Sequence, residues 1–184
     1  MASVRPVKAW DAVVRLLHWT LAMLVAVDLV RDDGDYAHRM VGYAAVVVVL
    51  ARLTWAAVSR SHASLAHASL ASLRPSVRQS LIYLRLLLRR QPPRSPGHDP
   101  LGLWMVWLLW TLVLLLGLTG WMSRLDAFWG DDRVHDIHSL LADLLLAAVV
   151  LHLGGITIMS WLWKENLPAS MITGFKRGDK NPSP

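Results

Sequence analysis

The sequence has no cysteine. That excludes disulfides, cysteine-ligated iron–sulfur clusters, zinc thiolate sites and the covalent C-x-x-C-H attachment of c-type haem. A metal or metal cofactor held by side chains must therefore use His, Met or carboxylates, and eight histidines make His the ligand to follow. Charge is scarce as well: only 17% of the 184 residues are Asp, Glu, Lys or Arg, against 54% hydrophobic. Soluble domains run at roughly 45–50% apolar. No nucleophile or general-base motif is evident, which disfavours a hydrolytic enzyme.

The charges are missing in blocks. Residues 100–123 contain none, and about 20 apolar residues suffice to cross a bilayer as a helix. Residues 144–163 form a second uncharged run, with an apolar pattern reaching back to His138. Residues 12–30 are apolar apart from Arg15, His18 and Asp28, and 40–58 apart from Arg52. The reading is a single all-α membrane domain over 1–184, a bundle of four transmembrane helices near 12–30, 38–58, 101–122 and 138–162. A soluble four-helix bundle would show a polar stripe that 101–122 lacks. The first segment has no small-residue cleavage site after it, so it reads as a span rather than a signal peptide.

Basic residues set the orientation. They crowd the N-terminal flank (Arg5, Lys8, Arg15), the connection 59–100 and the C-terminal tail. The two other loops are rich in Asp. Both termini are thus expected in the cytoplasm. The net charge of +6 follows from this asymmetry and needs no nucleic-acid partner. Within 59–100, HASLA occurs at 62–66 and again at 67–71, which reads as replication slippage. Residues 76–90 follow, with arginines set beside Leu and Ile as in an interfacial amphipathic helix, and then a Pro-rich return.

An ionisable ligand inside hydrocarbon is costly and defaults to a functional hypothesis. His18 and His152 fall within spans, and His38 and His138 at the starts of the second and fourth. His138 and His152 are 14 residues apart. At 100° and 1.5 Å per residue they face within about 40° of one another and lie roughly 21 Å apart along the helix. His135 is about 100° off that face and belongs to an Asp-rich loop, so it is expected at the surface. His62, His67 and His98 are read as surface residues too. Depth pairs His38 with His138 near the outer face and His18 with His152 near the inner one. Two bis-His sites stacked across a bilayer suit two b-type haems, whose iron takes axial ligands from opposite sides. The alternative is a haem-free membrane anchor or small transporter whose histidines only make interhelical hydrogen bonds. A di-metal transporter site fits less well, since zinc prefers three or four clustered ligands.

Other residues carry weaker expectations. Arg52 follows His38 by 14 residues, on the same face at the inner level. It can pair with a haem propionate or snorkel to the headgroups. Arg39 and Arg15 are lesser propionate candidates, explained equally well by topology. Gly42, Gly154 and Gly155 offer close approach to a macrocycle or to a neighbouring helix. Trp104, Trp107 and Trp110 read as an interfacial belt. Asp28 is expected near water at its helix end, and Asp143 inside the bundle as a hydrogen-bonding or proton-relay group.

The chain resembles the bacterial cytochrome b561 family, which includes b-type subunits of hydrogenases. KAWDAVVRLLHW at 8–19 matches the first-helix ligand region, with His18 in the ligand position. HRMVGY at 38–43 is similar to the second-helix start, with Arg52 following in VLARLTW. GHDPLG at 97–102 is similar to the start of the ligand-free third helix, and HSLLADLLLAAVVLH at 138–152 to the paired-ligand helix. WKENL at 163–167 and MITGFK at 171–176 match the C-terminal ending. The resemblance implies two non-covalent haem b groups and electron transfer across the membrane in a respiratory chain. It implies ubiquinone or menaquinone as one partner. The other would be a c-type cytochrome, a hydrogenase or other dehydrogenase subunit, or superoxide in a superoxide:quinone oxidoreductase. The short first loop, 31–37, and the ending soon after the fourth helix favour a compact, stand-alone type.

Overall fold

A computed structural model describes residues 6–31, 34–59, 69, 72–93, 99–128 and 131–177. Their order is β1 (Pro6–Lys8), α1 (Ala12–Val30), α2 (Tyr36–Val58), α3 (Val77–Leu88), α4 (Pro100–Met122), a 3₁₀ turn (Asp126–Phe128), α5 (Asp132–Trp163), α6 (Leu167–Thr173) and β2 (Phe175–Arg177). Four of these helices, α1, α2, α4 and α5, are long and apolar enough to cross a membrane. Leu16, Met23, Val47, Leu118 and Leu151 are exposed along them. Water would not tolerate so much exposed apolar surface, and a bilayer requires it. The fold is an all-α, multi-pass membrane fold. His62, His67 and His98, with most of the HASLA duplication and the Pro-rich return, lie outside the described residues.

Short polar side chains start the helices. Asp11 Oδ1 accepts the Val14 amide at 2.8 Å, Asp35 Oδ1 the His38 amide at 2.7 Å and Asp99 Oδ1 the Gly102 amide at 2.7 Å. Asn166 Oδ1 accepts the Ala169 amide at 2.9 Å. Each satisfies a backbone donor that a helix N-terminus would otherwise leave bare. Pro100 opens α4, where its missing N–H is no loss. The α5 helix begins at Asp132, six residues before the expected start. Asp131 Oδ1 accepts the Arg133 amide at 2.9 Å, and acidic residues favour a helix N-terminus. His135 is therefore helical rather than in a loop, and it is exposed as expected.

The helices feed two compact units. One consists of residues 16–54 and 106–152, the four-helix portion that carries all four candidate ligands. There Gly117 of α4 faces Val46 of α2, and a Cβ at Gly117 would collide with the valine methyl. Gly117→Leu should force these helices apart at a cost of about 1–3 kcal/mol. A thermal melt of the purified protein followed by helicity should show a lower midpoint, and an unchanged midpoint would contradict this contact.

The second unit takes residues 1–15, 55–105 and 153–184. Its centre is a clasp between the two ends of the chain. β1 pairs antiparallel with β2, Pro6 opposite Arg177 and Lys8 opposite Phe175. The Gly174 carbonyl accepts the amides of both Ala9 (2.9 Å) and Trp10 (3.1 Å). Gly174 ends α6 at φ +87°, and a Cβ there would sit 3.0 Å from the Trp10 carbonyl oxygen. Ala9, Trp10 and Val14 are buried with Trp55 and Met171 against them, and Lys176 Nζ lies 5.2 Å from the Trp10 ring centre. Arg15 donates to the Ile172 carbonyl. Its place is in this clasp, where it fastens the end of α6.

Candidate haem site

His38 at the start of α2 and His138 on α5 face each other, ring centres 6.2 Å apart and planes at 75°. An imidazole–metal bond of about 2 Å on either side, with the ring radii added, puts two in-line rings roughly 6 Å apart. The spacing thus suits one iron between them. Ring tautomers follow from the partners. His38 Nδ1 is 2.6 Å from the Arg31 carbonyl oxygen, which can only accept, so Nδ1 carries the proton. Asp28 Oδ1 lies 3.0 Å from the same nitrogen. His138 Nδ1 is 2.8 Å from Thr119 Oγ1, while that hydroxyl donates to the Leu115 carbonyl at 3.0 Å. With its one proton spent inside α4, Thr119 accepts from His138. Both rings therefore keep the Nε2 lone pair for a metal, oriented by second partners as metal-bound histidines usually are.

His18 on α1 and His152 on α5 belong to the same compact unit. Both rings are half-buried. His18 Nδ1 is buried with no hydrogen-bond partner among the described residues. The packing alternative would have His18 bond a neighbouring helix, and its Nδ1 makes no such bond. Arg15 Nε, Asp28 Oδ1 and Trp55 Nε1 are likewise buried without a hydrogen-bond partner among the described residues. Among the described residues no three His, Asp or Glu side chains cluster as a metal site.

Arg52 is buried, its guanidinium 5.7 Å from the Trp110 ring centre. α2 and α5 run the same way from the facing pair His38 and His138, and both are unbroken for 14 residues beyond it. Arg52 and His152 accordingly lie at one depth, each about 21 Å along. Trp110 is buried beneath Arg52 and has Trp107 edge-on at 5.7 Å. It is an interior residue here and not part of an interfacial belt. Trp104, at 46% exposure, keeps the belt position.

The remaining expected residues are placed as follows. Arg39 stacks 5.7 Å over the Tyr36 ring and donates to the Asp35 carbonyl, within its own helix start. Gly42 makes room for a carboxylate: a Cβ there would lie 3.4 Å from Asp28 Oδ2. Around Gly154 and Gly155 a Cβ would meet nothing within 4 Å. Asp143 corrects the sequence reading. It is exposed rather than inside the bundle, because five residues after His138 is about 140° around the helix. Thr119, on the ligand-free helix, and Asp28, as a neighbour of His38, are the site residues whose roles the sequence did not disclose. The only sign of Thr119 was a hydroxyl in an uncharged span.

Asp35 caps this end of α2. The His38 amide, helped by Arg31, holds its carboxyl below the usual carboxylate range. A depressed carboxyl stabilises the fold above its ordinary pKa and loses that contribution as pH falls through the lowered value. Protection of the His38 amide, measured against its intrinsic exchange rate, should thus be lost only below the ordinary carboxylate range. Protection already lost near pH 6 would contradict the cap.

A family model for prokaryotic cytochrome b561 matches residues 9–174. The chain belongs to the prokaryotic cytochrome b561 family. It is a membrane haem b protein of electron transfer. No curated protein matches the sequence. The matched span of this cytochrome runs from Ala9, inside the clasp, to Gly174, which closes it. It therefore takes in both histidine pairs and the contact that joins the chain ends.

Proposed function

We propose that this cytochrome binds two haem b groups, one between His38 and His138 and one between His18 and His152, and carries electrons between the two faces of the bacterial inner membrane. The facing of His38 and His138, with both Nδ1 atoms committed elsewhere, carries the reading. Each haem supplies a one-electron iron couple, and the chain supplies the rest. α5 fixes the spacing of the two sites by presenting both of its histidines on one face. Asp28 and the Arg31 carbonyl make His38 a more basic ligand, and Thr119 orients His138. Arg52 provides a cation at the His152 level to meet a propionate. Arg39 and Gly42 act through the start of α2, as the stacking partner of Tyr36 and the space beside Asp28. The apolar spans exclude water from the route between the sites.

By the distribution of basic residues, both termini and α3 lie on the cytoplasmic side. His38 and His138 then face the outside. Quinone in the bilayer is the proposed small-molecule partner. α1 and α2 are joined by only residues 31–35, a connection too short to dock a large dehydrogenase subunit, which supports a compact oxidoreductase that takes electrons from superoxide or a small c-type cytochrome. A pyridine haemochrome assay on purified protein should give two haems per chain. None would overturn the reading, and one would remove the second site.

A further inference from the structure

The connection between α2 and α4 holds α3, whose surface divides lengthwise into three strips. The first is buried against its own unit. Ser80 Oγ accepts the Trp104 indole N–H at 3.1 Å and lies 3.3 Å from the Pro100 carbonyl. The Tyr83 hydroxyl reaches Met159 Sδ at 4.0 Å. Burial, with Asp99 nearby, pushes the Tyr83 phenol well above its ordinary range, so it remains a donor. These contacts fix α3 beside the first turns of α4 and the last turns of α5, at the level of the half-exposed Trp104. That is where spans meet headgroups.

The second strip is apolar and bare. Val77, Leu81, Leu84 and Leu88 are 63%, 54%, 40% and 77% exposed. At 100° per residue they lie within about 60° of one another. The third strip is Arg78, Arg85 and Arg89, within about 40° of one another and some 90° beyond the apolar one, with the half-exposed Ile82 along its far edge. All three arginines are exposed, and no ion pair to them occurs among the described residues. α3 itself contains no acidic residue.

We infer that α3 lies in the membrane interface as a binding site for acidic phospholipid: the apolar strip enters the acyl region and Arg78, Arg85 and Arg89 hold headgroup phosphates. The order of the strips supports this occupant. With one side on the protein and the next in hydrocarbon, the arginines point sideways at headgroup depth. An isolated apolar strip would equally suit a protein neighbour, but a bordering row of unpaired guanidiniums calls for a continuous supply of anions. Each basic residue near such a surface adds to the attraction, and guanidinium pairs well with phosphate.

The absence of cysteine gives a clean test. Leu81→Cys, Leu88→Cys and Gln79→Cys, each carrying a nitroxide, are reconstituted in phosphatidylcholine vesicles with roughly a quarter phosphatidylglycerol. Labels at 81 and 88 should relax with oxygen and be shielded from a water-soluble nickel chelate, whereas 79 should show the reverse. Phosphatidylglycerol co-purifying from mixed lipid should be enriched about tenfold over bulk, and the Arg78→Gln/Arg85→Gln/Arg89→Gln variant should lose that enrichment. Unchanged helicity shows that the variant is folded. Nickel access at 81 and 88 equal to that at 79 would overturn the inference. So would enrichment that survives loss of the arginines. Dipolar broadening at 81 or 88 that disappears on dilution with unlabelled chain would assign the strip to a second copy instead.

Discussion

His152→Ala is expected to remove one haem of the proposed two and leave the other. In the proposed arrangement His152 pairs with His18, and neither ring belongs to the pair that includes His38 and Thr119. Losing one of two axial ligands empties that site, whereas His38, His138 and the bonds to their Nδ1 atoms are untouched. Haem content should fall to half, and the remaining haem should keep its parental low-temperature α-band and reduction potential. Loss of the other haem alone would overturn the pairing. Loss of both would be traced by His18→Ala, which should reproduce the same half-loaded species. If neither variant retains haem, the two sites are not independent.

Arg52→Gln is the second large effect, expressed as a potential. A buried guanidinium at the depth of His152 stabilises the reduced, more negative state of a haem there. One unit charge in an effective dielectric of about 20 is worth more than 1 kcal/mol at contact range. For a one-electron couple about 1.4 kcal/mol corresponds to roughly 60 mV. Redox titration of Arg52→Gln should show one haem lowered by about this much and the other within ~10 mV of parental. Arg52→Lys should recover part of the shift, because charge is kept while the planar stacking on Trp110 is lost. A uniform shift of both haems would mean that the variant disturbs packing rather than the local field.

These sites were legible to different degrees. The uncharged run 100–123 specified α4 almost to the residue, since hydrocarbon imposes both length and composition. The 14-residue spacing on α5 is a matter of helical period and survived unchanged. The same arithmetic would have turned Asp143 away from His138 had it been applied there. α5 outran its expected start because Asp131 and Asp132 resemble a loop when read by polarity and a helix start when read by dipole. Thr119 was hidden for another reason: its role depends on which turn of α4 meets His138, a relation between two helices and not a property of either. Trp110 and Arg52 are a similar case, each ordinary alone and informative only once stacked.

The clasp of β1 on β2 was the least legible element, two strands of three residues at opposite ends of the chain. It also sets an order in time. The helices can insert as they are made, but Lys8 has no strand to pair with until Phe175 has left the ribosome. At about 5–20 residues per second that is a wait of roughly 10–30 s. Trp10 and Val14 remain without their cover of Met171 throughout that interval. The joint thus forms only on a nascent chain that has been translated past α6 and β2.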